Sequence, residues 1–184
     1  MIERNEAEIW LKKYLFDDKL IKHSYAVEAI MGNLAEYLER DINYWKLVGL
    51  LHDLDYEYSK ENPEKHSQIT AELLDGLLPE EGINAIKAHN YLYSKYFPAT
   101  TIDKSLIAAD AVSGLIIASA LVMPSKKLKD VKIESLIKKY KDKTFAKGCD
   151  RKRIQLCQDV GIDLNKFLDI SLKSLQKISD ELNL

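Results

Sequence analysis

Apolar residues recur three and four positions apart along almost the whole chain, the spacing of one face of an α-helix. Alternation of apolar and polar residues, which is typical of half-buried strands, is missing, and glycine and proline are scarce. The polar segment 55–65 contains Pro63 and is predicted to be a loop. The chain is therefore predicted to be all-α. The predicted helices cover residues 4–16, 19–38, 42–53, 64–78, 80–92, 102–122, 130–140, 150–160 and 164–182.

The composition changes after Pro124, where a basic connection over residues 125–129 begins. No low-complexity linker follows, so two independent folds are not expected. We predict a helical core over residues 1–123 and a C-terminal helical extension over 124–184 that packs on it. The apolar face of the last helix is a candidate interface for a homodimer.

One segment is apolar enough to be tested as a membrane span. Residues 106–123 are interrupted only by Asp110, Ser113, Gly114 and Ser119. A spanning helix needs about 20 apolar residues, and an aspartate near its centre costs about 2.5–3.5 kcal/mol. We therefore predict a buried central helix and no membrane partner.

Composition and charge narrow the class of protein. With 46% apolar residues, 30% charged residues and a net charge of −2, the chain has a globular balance. The charge offers no general attraction to nucleic acid, so DNA is not an expected partner. The polar N-terminus does not resemble a signal peptide. Cys149 and Cys157 fit neither zinc-finger spacing nor a disulfide scaffold, so a reduced, cytoplasmic location is expected.

All four histidines of the chain stand three or four positions from an apolar residue on their predicted helices. They are His23, His52, His66 and His89. His52 is followed by Asp53 inside a run of leucines, and Asp110 lies in the most apolar helix. Four core histidines with unrelated partners is one interpretation, in which His52 merely ends a helix. Because a buried carboxylate needs a partner, a shared site for a first-row divalent metal is the better explanation.

The order of these residues resembles the HD-domain superfamily of metal-dependent phosphohydrolases over about residues 20–123. The superfamily signature is a histidine, a His-Asp doublet and a distal aspartate, matched by His23, His52, Asp53 and Asp110. The two histidines in between resemble the extra ligands of its dinuclear branch. Residues 108–151 also resemble an uncharacterised bacterial and archaeal subgroup. Asp55 stands where a glycine often follows the doublet. The Gly-Tyr-Pro signature of the cyclic-di-GMP phosphodiesterase branch is missing, which argues against that substrate.

The resemblance implies a compact HD-type helical bundle and a role for each motif residue. One metal would be bound by His23, His52, Asp53 and Asp110. Asp53 would bridge to a second metal bound by His66 and His89, which would contact the substrate if only one metal binds. The cofactor is expected to be one or two divalent ions (Fe, Mn, Co, Zn, Ni or Mg). His52, Asp53 and Asp55 are the expected catalytic residues. For Asp55 three roles stay open: a general acid, an outer partner of the metals, or the start of the loop.

The implied activity is hydrolysis of a phosphomonoester or phosphodiester of a small nucleotide-like substrate by a metal-activated water. Basic residues of the extension are candidate phosphate ligands, although each also fits a solvated helix surface. The four preferred candidates are Lys126, Lys127, Lys143 and Arg151, from a group that also includes Lys147 and Arg153. Two alternatives stay open. One is a non-catalytic HD module that binds a nucleotide or a protein partner, and the other is a structural helical protein with a tightly bound zinc, which chelation would unfold.

Overall fold

The computed structural model describes all residues from 1 to 184 and contains helices but no strands, which confirms the all-α prediction. Two short 3-10 turns, Pro63–Lys65 and Leu128–Asp130, lie between helices. The helices are α1 (Arg4–Tyr14), α2 (Asp18–Tyr37), α3 (Ile42–Leu51), α4 (Tyr56–Ser59), α5 (Gln68–Leu73), α6 (Glu80–His89), α7 (Thr101–Leu121), α8 (Ile133–Lys141), α9 (Arg151–Asp159), α10 (Leu164–Lys177) and α11 (Ser179–Leu182).

The predicted and observed helices differ most around residue 66. The helix predicted over 64–78 contains only Gln68–Leu73, because the 3-10 turn at Pro63–Lys65 precedes it and Ser67 has a φ of 72°. A left-handed φ is costly for a residue other than glycine and interrupts a helix. The predicted loop 55–65 contains the single turn α4, and the last predicted helix is divided at Ile178.

The centre of the molecule is formed by α2, α3 and α7, with α6 packed against α7. Helices α2 and α3 approach each other at Gly49, where a Cβ atom would lie 2.9 Å from the Val27 carbonyl oxygen and 3.0 Å from Met31 Cγ. Any larger residue would push the two helices apart. The close approach brings the C-terminal end of α3 beside the middle of α2.

The apolar helix α7 runs through this core. By length and composition it could cross a membrane, but 67% of its most apolar 18-residue window is buried inside the protein. A capping box begins the helix: the Thr100 side chain accepts from the Asp103 amide, and the Asp103 carboxylate accepts from the Thr100 amide. The helix is thus a core element, as the central aspartate indicated.

The C-terminal helices share the same core. Helix α9 packs on α7, and α10 places its apolar face, including Phe167 and Leu168, on α2. This face is therefore covered within the chain. The domain boundary at residue 124 and the homodimer both stay predictions.

Arg151 organises the connection between α8 and α9. Its guanidinium donates hydrogen bonds at 2.6–3.2 Å to the backbone carbonyl oxygens of Lys139, Tyr140, Asp142, Phe145, Ala146 and Cys149. These carbonyls have few other donors, because they lie at the end of α8 and in the turns that follow. The side chain of Arg151 is thus used to fold its own segment.

Replacing Arg151 with alanine is expected to lower the free energy of unfolding by about 2–4 kcal/mol, because the donors to several carbonyl groups are lost together. Lysine should recover only part of this, since an ammonium lacks the planar fork of donors. Urea denaturation measures the change. Lys152→Ala, at the exposed next position, is the control and should change stability by no more than about 0.5 kcal/mol. Equal stability of Arg151→Ala and this control would contradict the assignment.

Candidate metal centre

Five separate elements bring the six motif residues to one place. His23 lies in α2, His52 and Asp53 follow α3, His66 precedes α5, His89 ends α6, and Asp110 lies in the middle of α7. Each comes from a helix end or from the buried side of a helix. The structure thus collects side chains that are up to 87 positions apart in sequence.

Asp53 is shared by two groups of possible ligands. In the first, the ligand atoms of His23, His52 and Asp53 all lie within 4.8 Å of one another. In the second, the same holds for Asp53, His66 and His89. Asp53 Oδ2 lies 3.6 Å from His23 Nε2, whereas Oδ1 lies 3.4 Å from His66 Nε2 and 3.1 Å from His89 Nε2. The two carboxylate oxygens therefore face different histidines.

Asp110 joins the first group from α7. Its Oδ1 atom lies 3.2 Å from His23 Nε2, and its Oδ2 atom accepts a hydrogen bond of 2.7 Å from Arg153. One oxygen thus faces the centre, and the other is held from outside it. This division leaves Oδ1 available to a metal ion.

The Nδ1 atom of every histidine in the centre has an acceptor. His52 Nδ1 donates to the Gly49 carbonyl oxygen at 2.8 Å, and His89 Nδ1 donates to the Ile86 carbonyl oxygen at 2.5 Å. Both carbonyls belong to the last turn of a helix, where backbone oxygens lack intrahelical donors. His66 Nδ1 lies 2.8 Å from Asp55 Oδ1.

The fourth histidine is oriented through a hydroxyl group. The Ser113 hydroxyl donates to the Asp110 carbonyl oxygen at 2.8 Å, so its oxygen is left to accept from His23 Nδ1 at 3.2 Å. With all four Nδ1 atoms as donors, all four Nε2 atoms carry lone pairs. Ser113 was not predicted as a site residue, although it stands one helical turn after Asp110.

The donor set fits a divalent cation. His52 Nε2 is buried without a hydrogen-bond partner, and the Nε2 atoms of His66 and His89 face each other at 3.0 Å. Lone pairs and carboxylate oxygens thus meet with too few protons between them, an arrangement that a cation satisfies and a protein donor does not. Imidazole and carboxylate together suit first-row divalent metals. The clustered histidines and aspartates can therefore bind a metal.

The pKa values of the centre follow from burial and neighbouring charge. Burial lowers the pKa of His52 to about 4, so this ring is neutral and ready to bind a metal at neutral pH. Burial alone would raise the pKa of Asp53, but the surrounding imidazoles, His52 above all, hold it well below its usual value. Burial would raise the pKa of Asp110 too, but the charge of Arg153, the hydrogen bond to His23 and the nearby imidazoles together lower it. Both carboxylates are thus ionised.

His23 and His66 are shifted the other way. Burial would lower the pKa of each ring, but it is outweighed by the hydrogen bond and charge of Asp110 for His23 and by the hydrogen bond of Asp55 and nearby charges for His66, so both pKa values rise. A proton on either Nε2 would occupy the position that a metal needs. Metal binding therefore competes with protons at these two rings.

Asp55 is an outer partner of the centre. Its Oδ1 atom accepts from His66, and its Oδ2 atom accepts from the Thr70 amide at 3.0 Å, which caps the N-terminal turn of α5. The side chain is fully buried. Of the roles considered for Asp55, the geometry favours orientation of His66. Glu57 instead accepts from the Phe16 and Asp17 amides and ties α4 to the start of α2.

Replacing Asp55 with asparagine is expected to weaken metal binding at the Asp53–His66–His89 group about 10–100-fold, because an amide cannot accept from both the ring and the Thr70 amide. The group with His23 should keep its affinity. Metal stoichiometry after dialysis against limiting Mn²⁺ measures the difference. Glu57→Gln is the matched control, since it alters an acidic residue of the same segment outside the centre. Equal metal content in both variants would refute this role of Asp55.

The centre opens into a cavity of about 510 Å³. Its basic residues are Lys60 and Arg153, and two exposed tyrosines, Tyr56 and Tyr93, lie along it. Tyr56 also contacts His66 edge-on, with 5.4 Å between ring centroids. The lining residues are Leu20, His23, Asp53, Tyr56, Ser59, Lys60, Pro63, His66, His89, Asn90, Tyr93, Asp110 and Arg153.

The four basic residues predicted to bind the substrate are not among these lining residues. Lys126, Lys127 and Lys143 are exposed on the surface, and Arg151 donates to the backbone of its own segment. Phosphate binding by them stays a prediction. Sequence patterning did not single out Arg153 from the other basic residues of the extension, because only the packing of α9 on α7 brings it to the cavity.

Comparison with known proteins identifies the family to which these residues belong. The family model described as HD domain matches residues 20–143, about two thirds of the chain. Ribonuclease Y of Lawsonia intracellularis is 33% identical over 100 residues, and ribonuclease Y of Nitratidesulfovibrio vulgaris (strain DP4) is 33% identical over 102 residues. Each match covers 54% of this chain but only 19% of the relative. No solved structure matches significantly.

Proposed function

The chain belongs to the HD-domain family of metal-dependent phosphohydrolases, and we propose that it hydrolyses a phosphomonoester or phosphodiester of a small nucleotide-like substrate. The observation that carries the proposal is the shared carboxylate of Asp53, which faces two groups of histidines at once. Two adjacent cation positions on one carboxylate are typical of sites that hydrolyse phosphate esters.

His23, His52, Asp53 and Asp110 would hold one ion, and Asp53, His66 and His89 would hold the other. Ions held by these residues would supply a water of lowered pKa as the nucleophile and would neutralise charge on the phosphoryl oxygens. The protein itself orients the imidazole rings of these histidines. The four Nδ1 hydrogen bonds keep the imidazoles in the tautomer that presents a lone pair to the centre.

The hydroxyl groups around the cavity favour water, and not a serine side chain, as the nucleophile. Ser59 is the only serine or threonine among the lining residues, and its hydroxyl donates to the Asp55 carbonyl oxygen at 2.9 Å. That serine therefore has no base positioned to activate it. We infer that the reaction proceeds by direct attack of water, without a covalent intermediate on the protein.

The size and lining of the cavity support a small substrate. A volume of about 510 Å³ is within the usual range for small-molecule sites. Lys60 and Arg153 supply positive charge for a phosphate, and Tyr56 and Tyr93 supply aromatic surface on which a base can stack. The relatives are named ribonuclease Y, so a phosphodiester belongs among the substrates to be tested.

A substrate screen tests the proposal. The purified protein is analysed for bound metals, loaded with Mn²⁺, and assayed against nucleoside monophosphates, short oligoribonucleotides, cyclic nucleotides and generic phosphatase substrates. The double variant His52→Ala, Asp53→Ala is the negative control. Metal-dependent turnover that is absent from the control supports the proposal. Absence of any transition metal, or activity that persists in the control, would refute it. Tight metal binding without turnover would favour a non-catalytic binding module.

A further inference from the structure

Arg153 reaches the metal centre from outside the segment that matches the family model. The match ends at residue 143, whereas Arg153 lies in α9. Two features hold this helix in place: it packs on α7, and the side chain of Arg151, at its first position, is hydrogen-bonded to the backbone of the segment that precedes it. Arg153 is therefore presented from a fixed element of the C-terminal extension, a suitable support for a residue that must meet a substrate.

One nitrogen of the Arg153 guanidinium makes all of its hydrogen bonds. Nη2 donates to Asp110 Oδ2 at 2.7 Å and to the His89 carbonyl oxygen at 3.0 Å. Nη1 makes no hydrogen bond and is not among the buried unpaired atoms, and Nε is buried without a partner. The side chain is 21% exposed and lines the cavity. The guanidinium thus has N–H groups without hydrogen-bond partners on the cavity side of the centre.

We propose that Arg153 binds the phosphate group of the substrate, with Asp110 and the His89 carbonyl holding it in position. The inference rests on the proposed function and names a substrate-binding residue for it. An arginine needed only to orient Asp110 would not have to face the cavity. A planar guanidinium with uncommitted N–H groups matches the geometry of phosphate oxygens.

The charge of the cavity supports this role. Lys60 is the other basic residue of the lining. When divalent ions are bound, the positive charges of the ions, Arg153 and Lys60 exceed the negative charges of Asp53, Asp55 and Asp110. Arg153 then stands beside cations that repel it, and a bound anion relieves this repulsion. The site would therefore prefer a ligand with a phosphate at its end facing the ions.

Binding of inorganic phosphate to the Mn²⁺-loaded protein tests the inference without requiring turnover. Isothermal titration calorimetry is carried out on the wild type, Arg153→Ala, Arg153→Lys and the control Lys152→Ala, with the metal content of each measured by mass spectrometry. We expect Arg153→Ala to weaken phosphate binding about 10-fold or more, Arg153→Lys to weaken it less, and Lys152→Ala to match the wild type. Metal content should be retained.

Three results would overturn the inference. The first is unchanged phosphate affinity in Arg153→Ala with its metal retained. The second is loss of metal from both Arg153→Ala and Arg153→Lys, which would limit Arg153 to positioning Asp110. The third result applies if Arg153→Ala loses its metal but Arg153→Lys keeps it. In that case an unchanged phosphate affinity of Arg153→Lys would overturn the inference. Phosphate binding through Arg153 without hydrolysis in the screen would leave this inference standing and refute the proposed activity. Hydrolysis without phosphate binding through Arg153 would support the proposed activity and refute this inference.

Discussion

Replacing Asp53 with asparagine is expected to remove metal binding at both groups and to reduce hydrolysis at least about 10³-fold. Asp53 is the residue that the two groups share, so a single substitution affects both. An amide is neutral and presents only one oxygen, whereas the centre uses one carboxylate oxygen toward His23 and the other toward His66 and His89. Metal analysis and the rate with the best substrate of the screen measure the two effects.

The fold should survive this substitution. Asparagine has nearly the same shape and volume as aspartate, and the apolar core of the protein does not include Asp53. Circular dichroism and the melting temperature without metal should therefore stay close to those of the wild type. Asp75→Asn is the matched control, since Asp75 is exposed in the turn after α5. Full metal content and full activity in Asp53→Asn would contradict the proposed centre.

Removing the metal with a chelator is expected to lower the melting temperature by about 10 °C without unfolding the protein at room temperature. A ligand present at about 1,000 times its dissociation constant stabilises the folded state by about 4 kcal/mol. For a chain of this length, each kcal/mol corresponds to about 2–4 °C. Differential scanning calorimetry with saturating Mn²⁺ and with excess chelator measures the shift.

The metal-free protein should remain folded because its core does not depend on the centre. One continuous apolar cluster includes residues of α1, α2, α3, α6, α7, α9 and α10. Asp53→Asn supplies the control, since its melting temperature should not respond to metal or chelator. Complete unfolding on chelation at room temperature would instead favour a structural metal protein. No metal-dependent shift in the wild type would contradict metal binding altogether.

Helical periodicity predicted most of the fold, because the apolar residues of α2, α3 and α7 recur at local spacings and form the face that each helix must bury. The predicted helix over 102–122 corresponds to Thr101–Leu121 within one residue at each end. Prediction was weakest over residues 55–78. There Ser67 takes a left-handed φ and Asp55 caps α5 from a distance, and neither feature leaves a periodic signal.

Sequence order was sufficient to select the six candidate ligands and the HD-domain family, because a metal site constrains residue types at defined helix positions. It could not assign the partners that orient them. The bond from His66 to Asp55 and the path from His23 through Ser113 depend on how helices pack. Basic residues were least predictable, since lysine and arginine are common on solvated surfaces and their sequence spacing says little about which of them faces a cavity.

The sequence by itself therefore determined the all-α class, the family and the candidate metal ligands. Helical periodicity is a local pattern, and the family motif is a set of histidines and aspartates in a defined order along the chain. The family resemblance already implied that Asp53 is common to two ligand groups. Only the tertiary structure decided that Asp55 serves His66, that Ser113 accepts from His23, and that Arg153 rather than Arg151 faces the centre. The physical reason is the same in each case. These roles depend on distances between side chains of different helices, which the packing of the core sets.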